Sequence, residues 1–162
     1  MASPAPVLLA DGGKIMISAL RGAVYEALKR EEDIDKMYER LASEAKDTAL
    51  KEFFASLAHD AKRDMTMLKH LDLHSIIKFG LAIKFDAPGC KVDERLVNAI
   101  KDKANAKEML KIASDQMDVN IEYYEHIAAH SIFPDVKRLF RIIADKELEH
   151  KCLLKSLSDL IA

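Results

Sequence analysis

Residues 27–71, ALKREEDIDKMYERLASEAKDTALKEFFASLAHDAKRDMTMLKHL, return at residues 113–157 as ASDQMDVNIEYYEHIAAHSIFPDVKRLFRIIADKELEHKCLLKSL, at a constant offset of 86 and without a gap. Ala27 meets Ala113, Tyr38-Glu39 meets Tyr124-Glu125, and Ala42 meets Ala128. Further along, Lys51 meets Lys137, Phe54 meets Phe140, Ala58 meets Ala144, Leu68-Lys69 meets Leu154-Lys155, and Leu71 meets Leu157. Identities of this kind, most of them at apolar positions, mark two copies of one structural unit that bury a core together. Within each copy the apolar residues recur at helical spacing in two runs, so each unit is a helical hairpin. Four long helices are expected, at about 14–46, 48–74, 104–130 and 135–161. Asp47-Thr48 suits a capping turn, and Pro134 suits the first turn of the last helix.

Outside the repeat, residues 1–13 read as a flexible arm. Residues 75–103 read as a long crossover with Gly80, Pro88 and Gly89 and a short charged helix at Asp93–Lys103. A connection of that length can run along a bundle. The whole chain, 1–162, reads as one domain, and 162 residues bury a core without crosslinks. Apolar residues at 49% and charged residues at 32% fit a mostly helical globular protein. A net charge of −2 gives no basic footprint, so no nucleic-acid partner is expected. No apolar run approaches the roughly 18 residues of a membrane span, and the N-terminus lacks the basic region of a signal peptide. Two cysteines, Cys90 and Cys152, exclude a disulfide framework and point to a reducing cytoplasm.

The helical seams alternate spacings of three and four, the pattern of bundle packing. The first reads Leu20, Val24, Ala27, Glu31, Ile34, Tyr38, Leu41; the second Phe54, Leu57, Ala61, Asp64, Leu68, Leu71. The third reads Leu110, Ala113, Met117, Asn120, Tyr124, Ile127; the fourth Phe140, Ile143, Glu147, His150, Leu154, Leu157, Ile161. Glu31, Asp64, Asn120, Glu147 and His150 interrupt these seams near mid-helix, at one expected height. Buried carboxylates need a proton, a partner or a metal. Three carboxylates there meet one imidazole, and the seams as written contain no Lys or Arg, so a bound cation is the natural complement. Glu147 and His150, three apart, face the same way, as chelation requires.

With these residues in place the chain resembles the rubrerythrin branch of the ferritin-like, diiron-carboxylate proteins over about residues 20–160. The fold the resemblance implies is an all-α, ferritin-like four-helix bundle of two repeated hairpins joined by a long crossover. In that family the first helix of each hairpin gives a Glu and the second gives Glu-x-x-His. Glu31 seven residues before Tyr38, and Ala144-x-x-Glu147-x-x-His150, match the pattern. Ala61, Asp64 and Met117 depart from it, leaving an incomplete ligand set. The resemblance implies iron as cofactor, as one ion or two, or another divalent metal such as zinc, held by Glu31, Asp64, Glu147 and His150. Asn120, Tyr38 and Tyr124 would lie around these ligands. The implied chemistry is peroxide reduction or iron oxidation, with electrons from a separate donor because no four-cysteine motif is present. A homodimer is the expected assembly.

Against the metal site stands a metal-free network in which Asp64 pairs with His150 and one Glu is protonated, within a bundle that acts by binding or scaffolding. The pairs His70/His74 and His126/His130 have a zinc-compatible spacing but no third ligand nearby, and read as solvated surface residues. Cys152 lies off the seam and reads as a flank position.

Overall fold

The computed structural model describes residues 5–85 and 89–162, with side chains described from Gly12 onward. Six helices follow in order: α1 (Ala5–Glu44), α2 (Thr48–Lys69), α3 (Leu73–Phe79), α4 (Glu94–Ala99), α5 (Lys103–His130) and α6 (Pro134–Leu160). The long helices α1 and α2 pack as one hairpin, α5 and α6 as the other, and α1 also meets α5 and α6. The protein is thus the all-α bundle of two hairpins that the repeat implies, and the ferritin-like fold that the resemblance implies.

Local chemistry sets most of the boundaries. Pro134 occupies the first turn of α6, where its missing N–H costs nothing. Asp102 caps α5 by accepting from the Asn105 N–H at 3.0 Å. Asp47 sits at the N-cap position of α2 but makes no capping bond there. Its carboxylate instead accepts from the N–H groups of Lys101 and Asp102, at 3.2 and 3.0 Å. That bridge pins the turn of the first hairpin to the start of the second.

Three boundaries differ from expectation. Helix α1 starts at Ala5, so helical backbone runs through residues 5–13 of the stretch read as an arm; residues 1–4 lie outside the described residues. The second helix stops at Lys69, because Asp72 caps a new helix, α3, by accepting from the N–H groups of His74 and Ser75. The crossover therefore holds two short helices, α3 and α4, and Gly80 at φ 86° ends the first of them.

The core falls into two apolar bodies. One centres on Tyr38, Leu50, Phe54, Leu110, Met117 and Leu154. The other centres on Leu20, Ala27, Tyr124, Leu139, Phe140 and Ile143, with Leu81 and Phe85 of the crossover packed in. Tyr38 stacks on Phe54 at 6.3 Å, and Tyr124 lies 5.6 Å from Phe140, so the aromatic pairs obey the 86-residue repeat. On α1, α2 and α6 the residues between the two bodies are Glu31, Asp64 and the run from Lys146 to His150. A polar layer divides the core at mid-bundle.

Candidate metal centre

All four expected ligands are buried: Glu31 is 1% exposed, Asp64 0%, Glu147 0% and His150 2%. Each reaches the layer from mid-helix, where the 3.6-residue repeat turns its position inward. What they surround is an amine. Lys146, itself only 4% exposed, places Nζ 2.9 Å from Glu31 Oε2, 2.8 Å from Asp64 Oδ2 and 3.0 Å from Glu147 Oε1. The first two contacts are hydrogen bonds. The third is an ion-pair contact without hydrogen-bond geometry. A lysine has three N–H donors and no acceptor, so one ammonium can serve three carboxylates. The Phe85 ring lies 5.0 Å from the same nitrogen and adds a cation–π contact from the crossover.

The expectation that the seams hold no basic residue is therefore overturned. Position 146 lies on the stripe Ile143, Lys146, His150, Leu153, Leu157, all buried and spaced by three and four. The core-facing stripe of a helix is wider than one seam line, and it takes in this position as well. The lysine stem then spans apolar surface while its head meets the carboxylates.

The other expected residues divide. Tyr124 donates to Glu31 Oε1 at a long 3.5 Å. Tyr38 turns instead to Met117 Sδ, at 3.7 Å. Asn120 is buried, but its Oδ1 accepts from Arg30 at 3.3 Å and Gln116 at 3.4 Å, on the α1–α5 side. His150 Nδ1 is 3.7 Å from Glu147 Oε2, too far for a hydrogen bond. Among the described residues, neither ring nitrogen of His150 has a hydrogen-bond partner, nor does Asp64 Oδ1 or Glu147 Oε2. The Asp64–His150 pair of the metal-free network is replaced by Asp64–Lys146. His126 and His130 are exposed, with their rings stacked at 4.3 Å.

Electrostatics follow from burial plus one cation. Burial lifts Glu31 to about 8 despite the pull of Lys146, so it holds a proton at neutral pH. Burial also acts upward on Glu147, but Lys146 and His150 together draw it down to about 2. Asp64 is raised, chiefly by burial. Burial works against the Lys146 ammonium, yet Glu147, Glu31 and Asp64 outweigh it and hold the amine well above its ordinary range. The centre is an ammonium shared by Asp64 and Glu147, with Glu31 as a neutral neighbour.

A two-hairpin bundle with carboxylates and a Glu-x-x-His at mid-height defines a ferritin-like protein. The family model described as Rubrerythrin matches residues 22–158, and the chain belongs to the rubrerythrin family. Neither the curated proteins nor the solved structures include a significant match.

The metals that this family implies do not fit the arrangement. The point on which Glu31, Asp64 and Glu147 converge is taken by Nζ of Lys146. Among the described residues, no group of three or more His, Cys, Asp or Glu side chains is disposed to hold a metal ion. None of the helices described is long and apolar enough to cross a membrane.

One further expectation is corrected. Cys90 and Cys152, read as too few for a disulfide framework and as pointing to a reducing compartment, are joined in a disulfide. The bond ties the crossover to α6, and no pairing of residues so far apart in sequence is visible in a count of two cysteines.

Proposed function

We propose that this rubrerythrin-family bundle works without metal at its centre, as a binding or scaffold protein whose core charge is balanced by Lys146. The observation that carries this reading is one ammonium 2.8–3.0 Å from three buried carboxyl groups. An ammonium and a divalent cation compete for the same oxygens, and here the ammonium is covalently tethered in place. Ala61 and Met117, apolar where the family carries ligands, support the same reading. Metal analysis of protein purified without chelator from iron-supplemented cells tests it. The expected content is well below one ion per chain. An ion per chain that is lost in Glu147→Ala and in His150→Ala would overturn it.

A second reading keeps a metal site, and the unpartnered atoms of Asp64, Glu147 and His150 favour it. In that reading Lys146 leaves the centre, and the family's peroxide reduction or iron oxidation would draw electrons from a separate donor. For assembly we propose a homodimer, supported by Ile112 and Val119 on α5, 39% and 57% exposed and seven residues apart on one helix face. Light scattering at micromolar concentration distinguishes the dimer from a monomer.

A further inference from the structure

Lys146 is covered from one side by the crossover. A cavity of about 260 Å³ has Ile83, Lys84 and Phe85 of the crossover on one wall, and Ile142, Asp145, Lys146 and Glu149 of α6 on the other. Phe85, 7% exposed, rests against the Lys146 nitrogen. The Cys90–Cys152 disulfide joins the same two elements, with Cα atoms 5.3 Å apart. Cys152 lies six residues beyond Lys146 on α6, and Cys90 lies five beyond Phe85 in the crossover. Both cysteines are exposed at the surface, where a reductant can reach them. Exposed disulfides are the labile class, readily reduced by thiols.

We propose that the Cys90–Cys152 bond is a reversible redox strap that holds the crossover over Lys146, so that its reduction opens the carboxylate–lysine centre to solvent. The reductant is a dithiol. Its thiolate attacks one sulfur, breaking the S–S bond and forming a mixed disulfide. Its second thiol then displaces the protein thiolate and closes a ring. Two electrons and two protons pass to Cys90 and Cys152, and the dithiol becomes a cyclic disulfide. After reduction, Leu81 and Phe85 still hold this part of the crossover by apolar contact.

The test uses the full chain, purified under air, in its oxidised form and after reduction by dithiothreitol with alkylation of the freed thiols. Each form is treated with a water-soluble acylating reagent, and modification of Lys146 is followed by peptide mass spectrometry. Lys111, with its side chain 74% exposed, serves as the internal standard. A crosslink restrains an opened state by a factor of roughly 30 to 1000, so acylation of Lys146 should rise at least about tenfold on reduction while Lys111 is unchanged. The double variant Cys90→Ser/Cys152→Ser should be labelled at the fast rate with or without dithiothreitol. Equal labelling of Lys146 in both forms would overturn the proposal. So would free thiols in the air-purified protein, or loss of the far-UV helical signal on reduction, which would mean a global staple rather than a local strap.

Discussion

Replacing Lys146 by Met removes the cation that Glu31, Asp64 and Glu147 share. At an effective dielectric constant of about 20, unit charges at the 2.8 Å of the Asp64 contact attract by roughly 6 kcal/mol. Burying the ammonium costs several kcal/mol, so the intact cluster contributes little net stability. Removing one partner is different, because it leaves the carboxylate penalty uncompensated, at roughly 3–5 kcal/mol. Glu31 is already neutral at pH 7, so the penalty falls on Glu147 and Asp64. Both can take up protons in the variant, and the loss should shrink towards acid. Urea titrations followed by far-UV circular dichroism at pH 8 and pH 5.5 should show the larger loss at pH 8, with the m-value unchanged. The corresponding fall in Tm is about 6–20 °C for a chain of this size. Adding Asp64→Asn and Glu147→Gln to Lys146→Met should recover most of the loss, since a neutral cluster needs no counter-ion. A Lys146→Met loss at pH 8 within about 0.5 kcal/mol, the range of an ordinary surface substitution, would refute the buried ammonium.

Two more predictions concern pH and redox state. Glu31 rises from an ordinary value of 4.5 to about 8 on folding, so its contribution to stability is full below about 4.5 and is lost as pH rises through 8. Glu147, drawn down to about 2, contributes above 4.5 and loses that contribution as pH falls towards 2. Glu31→Gln fixes the neutral form and should flatten the alkaline decline in urea midpoint between pH 6 and 9; parallel declines in variant and parent would show that Glu31 ionises freely. The disulfide spans 62 residues of sequence, and the chain-entropy relation assigns such a loop about 4 kcal/mol. Dithiothreitol should therefore lower the urea midpoint, and an unchanged midpoint would mean that the bond adds nothing to global stability.

The fold was legible in the sequence because it is written twice. Tyr38/Tyr124 and Phe54/Phe140 keep an offset of 86, and in the structure they form two matching aromatic pairs. The burial of Glu31, Asp64, Glu147 and His150 was legible for a related reason: each interrupts an otherwise apolar stripe. Lys146 was not, because lysine is among the residues least often buried and its own position looks like the edge of a seam. Only the stripe Ile143, Lys146, His150, Leu153 reveals it, and that stripe carries weight only when the width of the buried face is known. The break after Lys69 was hidden because Leu71 and Leu73 continue the apolar rhythm while the Asp72 cap resets the helix. The disulfide depends on where the crossover lies, which no local pattern encodes.

In the proposed function a tethered ammonium fills the place of the family's metals. An anaerobic ferrous titration of the parent and of Lys146→Ala, followed by gel filtration and iron analysis, tests it most directly. Removing the amine frees the oxygens of Glu31, Asp64 and Glu147 beside His150, so the variant should retain iron while the parent retains none. Stoichiometric iron on the parent chain, undiminished relative to Lys146→Ala, would contradict the account.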